Sequence, residues 1–173
     1  MVREANLKKK MAGKPLNLII NISEMTTLTN NFSLDEMIQS QTALRNNLDN
    51  TPNESQIENL KGLCENVLQP LRDYYQSPIK VTSAFRSEKL ATLIGSKPTS
   101  QHCKGEAADF EIPGYDNKEV ASHIKNNFDY DQLILEYYDE SDKNSGWIHC
   151  SFKSSDNRKQ NLIKDKSGYK EWI

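Results

Sequence analysis

No run of apolar residues approaches the roughly 20 needed to cross a bilayer, which excludes a helical membrane protein. Glycine and proline are sparse, 7 and 6 in 173 residues, so the chain is not a collagen-like rod. With 36% apolar and 27% charged residues it is not a disordered tail either. The three cysteines, Cys64, Cys103 and Cys150, are an odd number without CxxC spacing, which argues against a disulfide framework or a four-cysteine zinc knot and for free thiols. Charge of either sign is not in excess: 22 Lys and Arg against 24 Asp and Glu leave a net of -2, too little for a general grip on nucleic acid. What remains is a soluble globular chain the size of one domain, expected to be a monomer with no nucleic-acid or membrane partner.

A secretory signal is also missing by pattern. The start is basic (Arg3, Lys8, Lys9, Lys10, Lys14), but the only apolar stretch after it, residues 16–22, is interrupted by Asn17 and Asn21 and is followed by no small-residue cleavage site. Cytoplasmic synthesis without a signal peptide is therefore the expectation.

Three regions follow from the patterning: an N-terminal extension over 1–31, one domain over 32–153, and a C-terminal tail over 154–173. Ser33, Asp35 and Glu36 form a capping-box start, with Phe32 and Met37 placed as a hydrophobic staple, and predict a short helix to about residue 44. Ile57, Leu60, Leu63, Cys64, Val67, Leu68, Leu71 and Tyr74 recur at helical spacing and predict a core-forming helix over 55–75, kinked or broken at Pro70. From residue 78 the period falls to two. Strands are predicted over 78–86, 108–112, 131–138 and 147–152, with short helices over 87–95 and 117–127. The lysine-rich tail shows no pattern beyond a terminal anchor at Tyr169 and Trp172.

The alternation makes a geometric statement. If Phe110 and Ile112, Leu133 and Leu135, and Ile148 and Cys150 face the core, then Asp109, Glu136 and His149 share the opposite surface. His102 stands seven residues before Asp109. Two imidazoles and a carboxylate suit Zn²⁺ and leave a fourth tetrahedral position open, as a catalytic site requires. By spacing alone the signal is weak, and a surface histidine beside an exposed strand aspartate is the competing reading. Cys103, next to His102 on a segment expected to be extended, would point away from a shared metal, and Cys150 would face the core. His123 reads as a surface or packed histidine, and Trp147 as core packing or a cleft wall.

The words around these residues are more specific. SAFRS (83–87), SQHCKGEAADF (100–110), QLILEYY (132–138) and SGWIHCSF (145–152), in this order, resemble the zinc D-Ala-D-Ala carboxypeptidase family of metallopeptidases. The family pattern Ser-x-His-x-x-Gly-x-Ala-x-Asp with a distal Trp-x-His is matched at Ser100, His102, Gly105, Ala107, Asp109, Trp147 and His149. The resemblance implies a small α+β fold, an antiparallel sheet with helices packed on one face, shared in outline with the Hedgehog signalling domain. It implies one Zn²⁺ held by His102, Asp109 and His149, and peptidoglycan stem peptides cut at or near D-Ala as substrates.

Several family members carry a general base as Glu-x-x-His, but here that position is Gly146. Glu136 is the candidate in its place, because its expected face agrees with Asp109 and His149. Arg86 is the candidate grip on a substrate carboxylate, with a structural ion pair as the rival account. Ser100 and Gln132 are candidates for orienting substrate or a ligand. Taken together the expectation is a zinc metallopeptidase acting on the cell wall once released, as a phage or prophage lysin (an endolysin) would. The alternative is a zinc-containing binding or structural module of the same fold without turnover, which the missing glutamate favours.

Overall fold

A computed structural model describes residues 27–173. The basic start and the β-like run at 16–22 lie outside the described residues.

Among the described residues six strands form one sheet: β1 (Lys80–Ser83), β2 (Ala107–Glu111), β3 (Gln132–Glu136), β4 (Trp147–Ser151), β5 (Gln160–Asp165) and β6 (Gly168–Glu171). Their order is β1-β2-β4-β3-β5-β6, antiparallel throughout except for the parallel pair β3–β5. The fold is thus the expected α+β class, with one parallel rung added. The core lies between one face of the sheet (Ala108, Phe110, Leu133, Leu135, Ile148, Cys150) and the apolar stripes of helices carrying Leu60, Leu63, Val67, Leu71, Val120 and Ile124. Period-two alternation in the strands and three-to-four spacing in the helices put these residues together. No described helix is long and apolar enough to cross a membrane.

The helix expected from residue 33 to about 44 is two. α1 (Leu34–Met37) starts at Ser33, whose hydroxyl accepts from Glu36 N, and α2 (Gln41–Arg45) starts at Ser40, whose hydroxyl accepts from Ala43 N. A second capping serine inside the run restarts the chain, because its side chain competes with the helical ladder.

The long helix begins at Asn53 with a complete capping box and runs as α3 (Glu54–Leu63), a π-helical segment (Cys64–Leu68) and α4 (Gln69–Tyr75). Of the kink or break expected at Pro70, the break does not occur. The widened turn directly before Pro70 carries the Gln69 N–H back to Cys64 O and absorbs the disturbance that a proline ring would otherwise bring. α5 (Glu88–Leu93) and α7 (Asn117–Asn127) stand within the expected spans 87–95 and 117–127, and the side chains of Ser87 and Asp116 cap their starts. Between them, α6 (Gln101–Lys104) is a single helical turn where an extended segment was expected. Ser100 caps its start, and Gly105, at φ +76°, ends it.

The segment 154–173 is the largest departure from the sequence reading. It supplies the β5–β6 hairpin, and Trp172 packs on the core while Tyr169 stays exposed.

Candidate metal centre

Pairing across the sheet sets the site. Asp109 on β2 stands opposite His149 on β4, which stands opposite Ile134 on β3; Ser83 on β1 completes this rung. One rung along the same face, Glu136 lies opposite Trp147 and beside Lys164 of β5. Paired residues share a face, so Asp109, His149 and Glu136 occupy one surface, with Glu136 about 7 Å along the strands from the rung of Asp109 and His149.

His102 reaches that surface from the α6 turn. Its position is fixed from behind: Gln56 Nε2 and Asn59 Nδ2 of α3 donate to Cys103 O and Lys104 O, both at 2.8 Å. A Cβ on Gly105 would lie 2.4 Å from Gln56 O, so the turn seats against α3 only with glycine there. The long helix therefore does more than fill the core. Its polar edge anchors the turn that carries His102.

His102 Nε2, His149 Nδ1 and Asp109 Oδ1 converge. The separations are 3.2 Å between the two ring nitrogens, 2.9 Å from His149 Nδ1 to Asp109 and 3.3 Å from His102 Nε2 to Asp109. All three residues are buried, and the group could hold a metal ion. The other nitrogen of His102, Nδ1, is 2.7 Å from Ala84 O. A carbonyl only accepts, so Nδ1 carries the hydrogen and Nε2 presents a lone pair to the centre.

The electrostatics agree with ligation. Burial pushes the His102 imidazole below its ordinary value, outweighing the neighbouring Asp109. Burial alone would raise the Asp109 carboxyl, but the charge and hydrogen bonds of His102, then those of His149, hold it well below the usual carboxylate range. A neutral imidazole and an ionised carboxylate are the forms that bind a cation.

Arg86, expected to grip substrate, sits with its Nη2 against Asp109 Oδ2 and its Nε 2.7 Å from Ser83 Oγ. It thus holds the outer oxygen of the carboxylate whose inner oxygen faces the histidines. Ser100 spends its hydroxyl on the backbone N–H of His102, at 3.4 Å, as the cap of α6. Gln132 lies at the far end of the face, bonded to Gln160 Oε1 at 2.6 Å. Cys103 is kept from the centre by its place on the helical turn, its Sγ lying 3.9 Å from Lys97 O, and not by an extended backbone as expected. Cys64, Cys103 and Cys150 are buried free thiols, and His123 stacks on Tyr74 at 3.9 Å between ring centroids.

Three contributors were missed. Gln56 and Asn59 sit on the polar side of a helix read only for its apolar stripe. Lys164 lies in the tail, whose signal was the Asp165-Lys166-Ser167-Gly168 turn between Leu162-Ile163 and Tyr169, a hairpin connection.

Beside the site, a cavity of about 530 Å³ opens next to β1, lined by Ser83, Ala84 and Arg86 and by Glu36, Gln39 and Thr42. Comparison with known proteins agrees with this picture: the family model described as Peptidase M15 matches residues 30–151. No curated protein matches the chain.

Proposed function

The chain belongs to the Peptidase M15 family, and from that premise we propose that it is a zinc-dependent hydrolase of peptidoglycan stem peptides or cross-links, cutting at or near D-Ala. The observation that carries the reading is the spacing of the three donor atoms. Ligand atoms about 2.0–2.2 Å from a tetrahedral Zn²⁺ lie roughly 3.3 Å from one another, and His102, Asp109 and His149 are spaced at 2.9 to 3.3 Å. Two nitrogens and one carboxylate oxygen are also the donor chemistry this ion takes, with one tetrahedral position left over.

When bound, zinc supplies Lewis-acid polarisation of the scissile carbonyl and acidifies the attacking water. The chain's own residues do the rest. Glu136 takes the proton of that water and passes it to the leaving amine. Its Oε2 is tied to Lys164 Nζ at 2.8 Å, whereas Oε1 has no protein partner among the described residues, so Oε1 is the proton-accepting atom. Arg86 keeps Asp109 turned so that Oδ1 faces the histidines. The cavity along β1 offers room for the remainder of a peptide that reaches the centre past Arg86.

The test is hydrolysis by the zinc-loaded chain of a stem peptide ending in D-Ala-D-Ala and of a cross-linked muropeptide, following free D-Ala and new amino groups. Cleavage by wild type with a loss of about 10²–10⁴-fold in Glu136→Gln is expected. Stoichiometric zinc without cleavage of either substrate would make the chain a non-catalytic module of the same fold.

A further inference from the structure

Glu136 is fixed from three directions. The residue after it, Tyr137, takes φ +55° and donates its N–H to Lys164 O at 2.7 Å, which ends β3 abruptly. Gly146, at φ +66°, closes on the Glu136 carbonyl. The third contact is the only charged one, from Lys164 Nζ to Glu136 Oε2. Two of these three contacts come from β5, which lies beyond residues 30–151, the part that matches the family.

The pair is not an ordinary surface ion pair. The Glu136 side chain is 8% exposed and that of Lys164 26%. The lysine is further flanked by the rings of Tyr137 and Tyr169, 5.5 and 5.3 Å from its nitrogen. Burial by itself would lower the Lys164 ammonium, yet its hydrogen bond and charge contact with Glu136 hold it above its ordinary value, so it stays charged. Removing it leaves a buried carboxylate without its cation, free to turn about its side-chain torsions.

We infer that Lys164 is a positioning residue for Glu136: it clamps Oε2 and leaves Oε1 as the one oxygen able to take the proton. β5, and not the hairpin as a whole, is in this account the strand that serves the catalytic unit. The inference rests on the reading of Glu136 as general base. Displacing a reacting group by about 1 Å costs on the order of 10²-fold in rate, which sets the size of the effect.

The experiment compares kcat and KM of full-length wild type, Lys164→Met, Lys164→Arg, Glu136→Gln and, as a control at the exposed hairpin end, Lys170→Met, all on a D-Ala-D-Ala stem peptide. Bound zinc and thermal unfolding are measured in parallel. The expected result is a fall of about 10–100-fold in kcat for Lys164→Met with KM within twofold, zinc at one equivalent, substantial recovery in Lys164→Arg and no change in Lys170→Met. A second arm guards against misfolding. Lys164→Cys is treated with bromoethylamine, which rebuilds an ammonium of lysine's length on the folded chain; Cys64, Cys103 and Cys150 are buried and stay unreacted. Return of kcat on alkylation supports the inference.

If Glu136→Gln is inactive while Lys164→Met keeps wild-type kcat, the inference falls and the general base stands. If Glu136→Gln retains wild-type kcat, or wild type does not cleave the peptide, the general-base reading fails and takes the inference with it.

Discussion

A side-chain carbon on Gly146 would lie 2.0 Å from the carbonyl oxygen of Glu136. Gly146 is the position at which several family members carry the Glu of Glu-x-x-His, and here no side chain fits. The backbone at φ +66° and the contact with Glu136 both demand glycine. The absent glutamate is therefore tied to how Glu136 is placed, and it loses its force as an argument for a module without turnover.

Gly146→Ala tests this contact. The methyl group must displace the β3–β4 turn from Glu136 and adopt a left-handed backbone, at a cost of about 3 kcal/mol or more. Denaturant unfolding should show that loss, together with a fall in kcat. An alanine variant as stable as wild type would mean the turn has room that the structure denies it.

Arg86 separates two roles by what its loss changes. Paired with Asp109 Oδ2, it keeps Oδ1 turned toward the two histidines, so Arg86→Met should weaken zinc affinity about 10–100-fold while the fold persists. Competition with a chromogenic chelator measures this. A raised KM with unchanged zinc affinity would instead make Arg86 the grip on a substrate carboxylate that the resemblance implies.

Asp131 makes the acid-side prediction. It is 1% exposed and bound by Arg158, Lys153 and Gln101. Burial would raise its carboxyl, but the hydrogen bonds from Arg158 and Lys153 hold it well below the usual range. A carboxyl depressed in the folded state contributes stability that is fully present above its unfolded value near 3.9 and is lost as pH falls toward the folded value. Unfolding midpoints measured from pH 6 to pH 2 should drop steeply for wild type. In Asp131→Asn they should start lower, by about 3 kcal/mol in stability, and respond less over that window. Parallel curves would remove Asp131 as the source.

Much of the site was legible because strands report their faces. Asp109 and His149 alternate with apolar neighbours that could only face the core, and the same counting placed Glu136 beside them. His102 was legible as a ligand type but not in its backbone. A one-turn helix has no periodicity to read, and only Ser100 and Gly105 bracket it. The β5–β6 hairpin was hidden for a different reason. It stands at the sheet edge, where Asn161, Leu162, Ile163 and Lys164 are all partly exposed, and burial imposes no clean alternation. Lys164 was lost with it. The break at α1 and α2 and the survival of the helix through Pro70 turned on competition between local hydrogen bonds, which a capping motif or a single proline does not decide alone.

Zinc titration into chelator-stripped protein tests the central claim most directly. Wild type should bind one zinc per chain with a rise in unfolding temperature, and His102→Ala, Asp109→Asn and His149→Ala should each bind at least about 100-fold more weakly. Zinc held as tightly by His102→Ala and His149→Ala as by wild type would contradict the account.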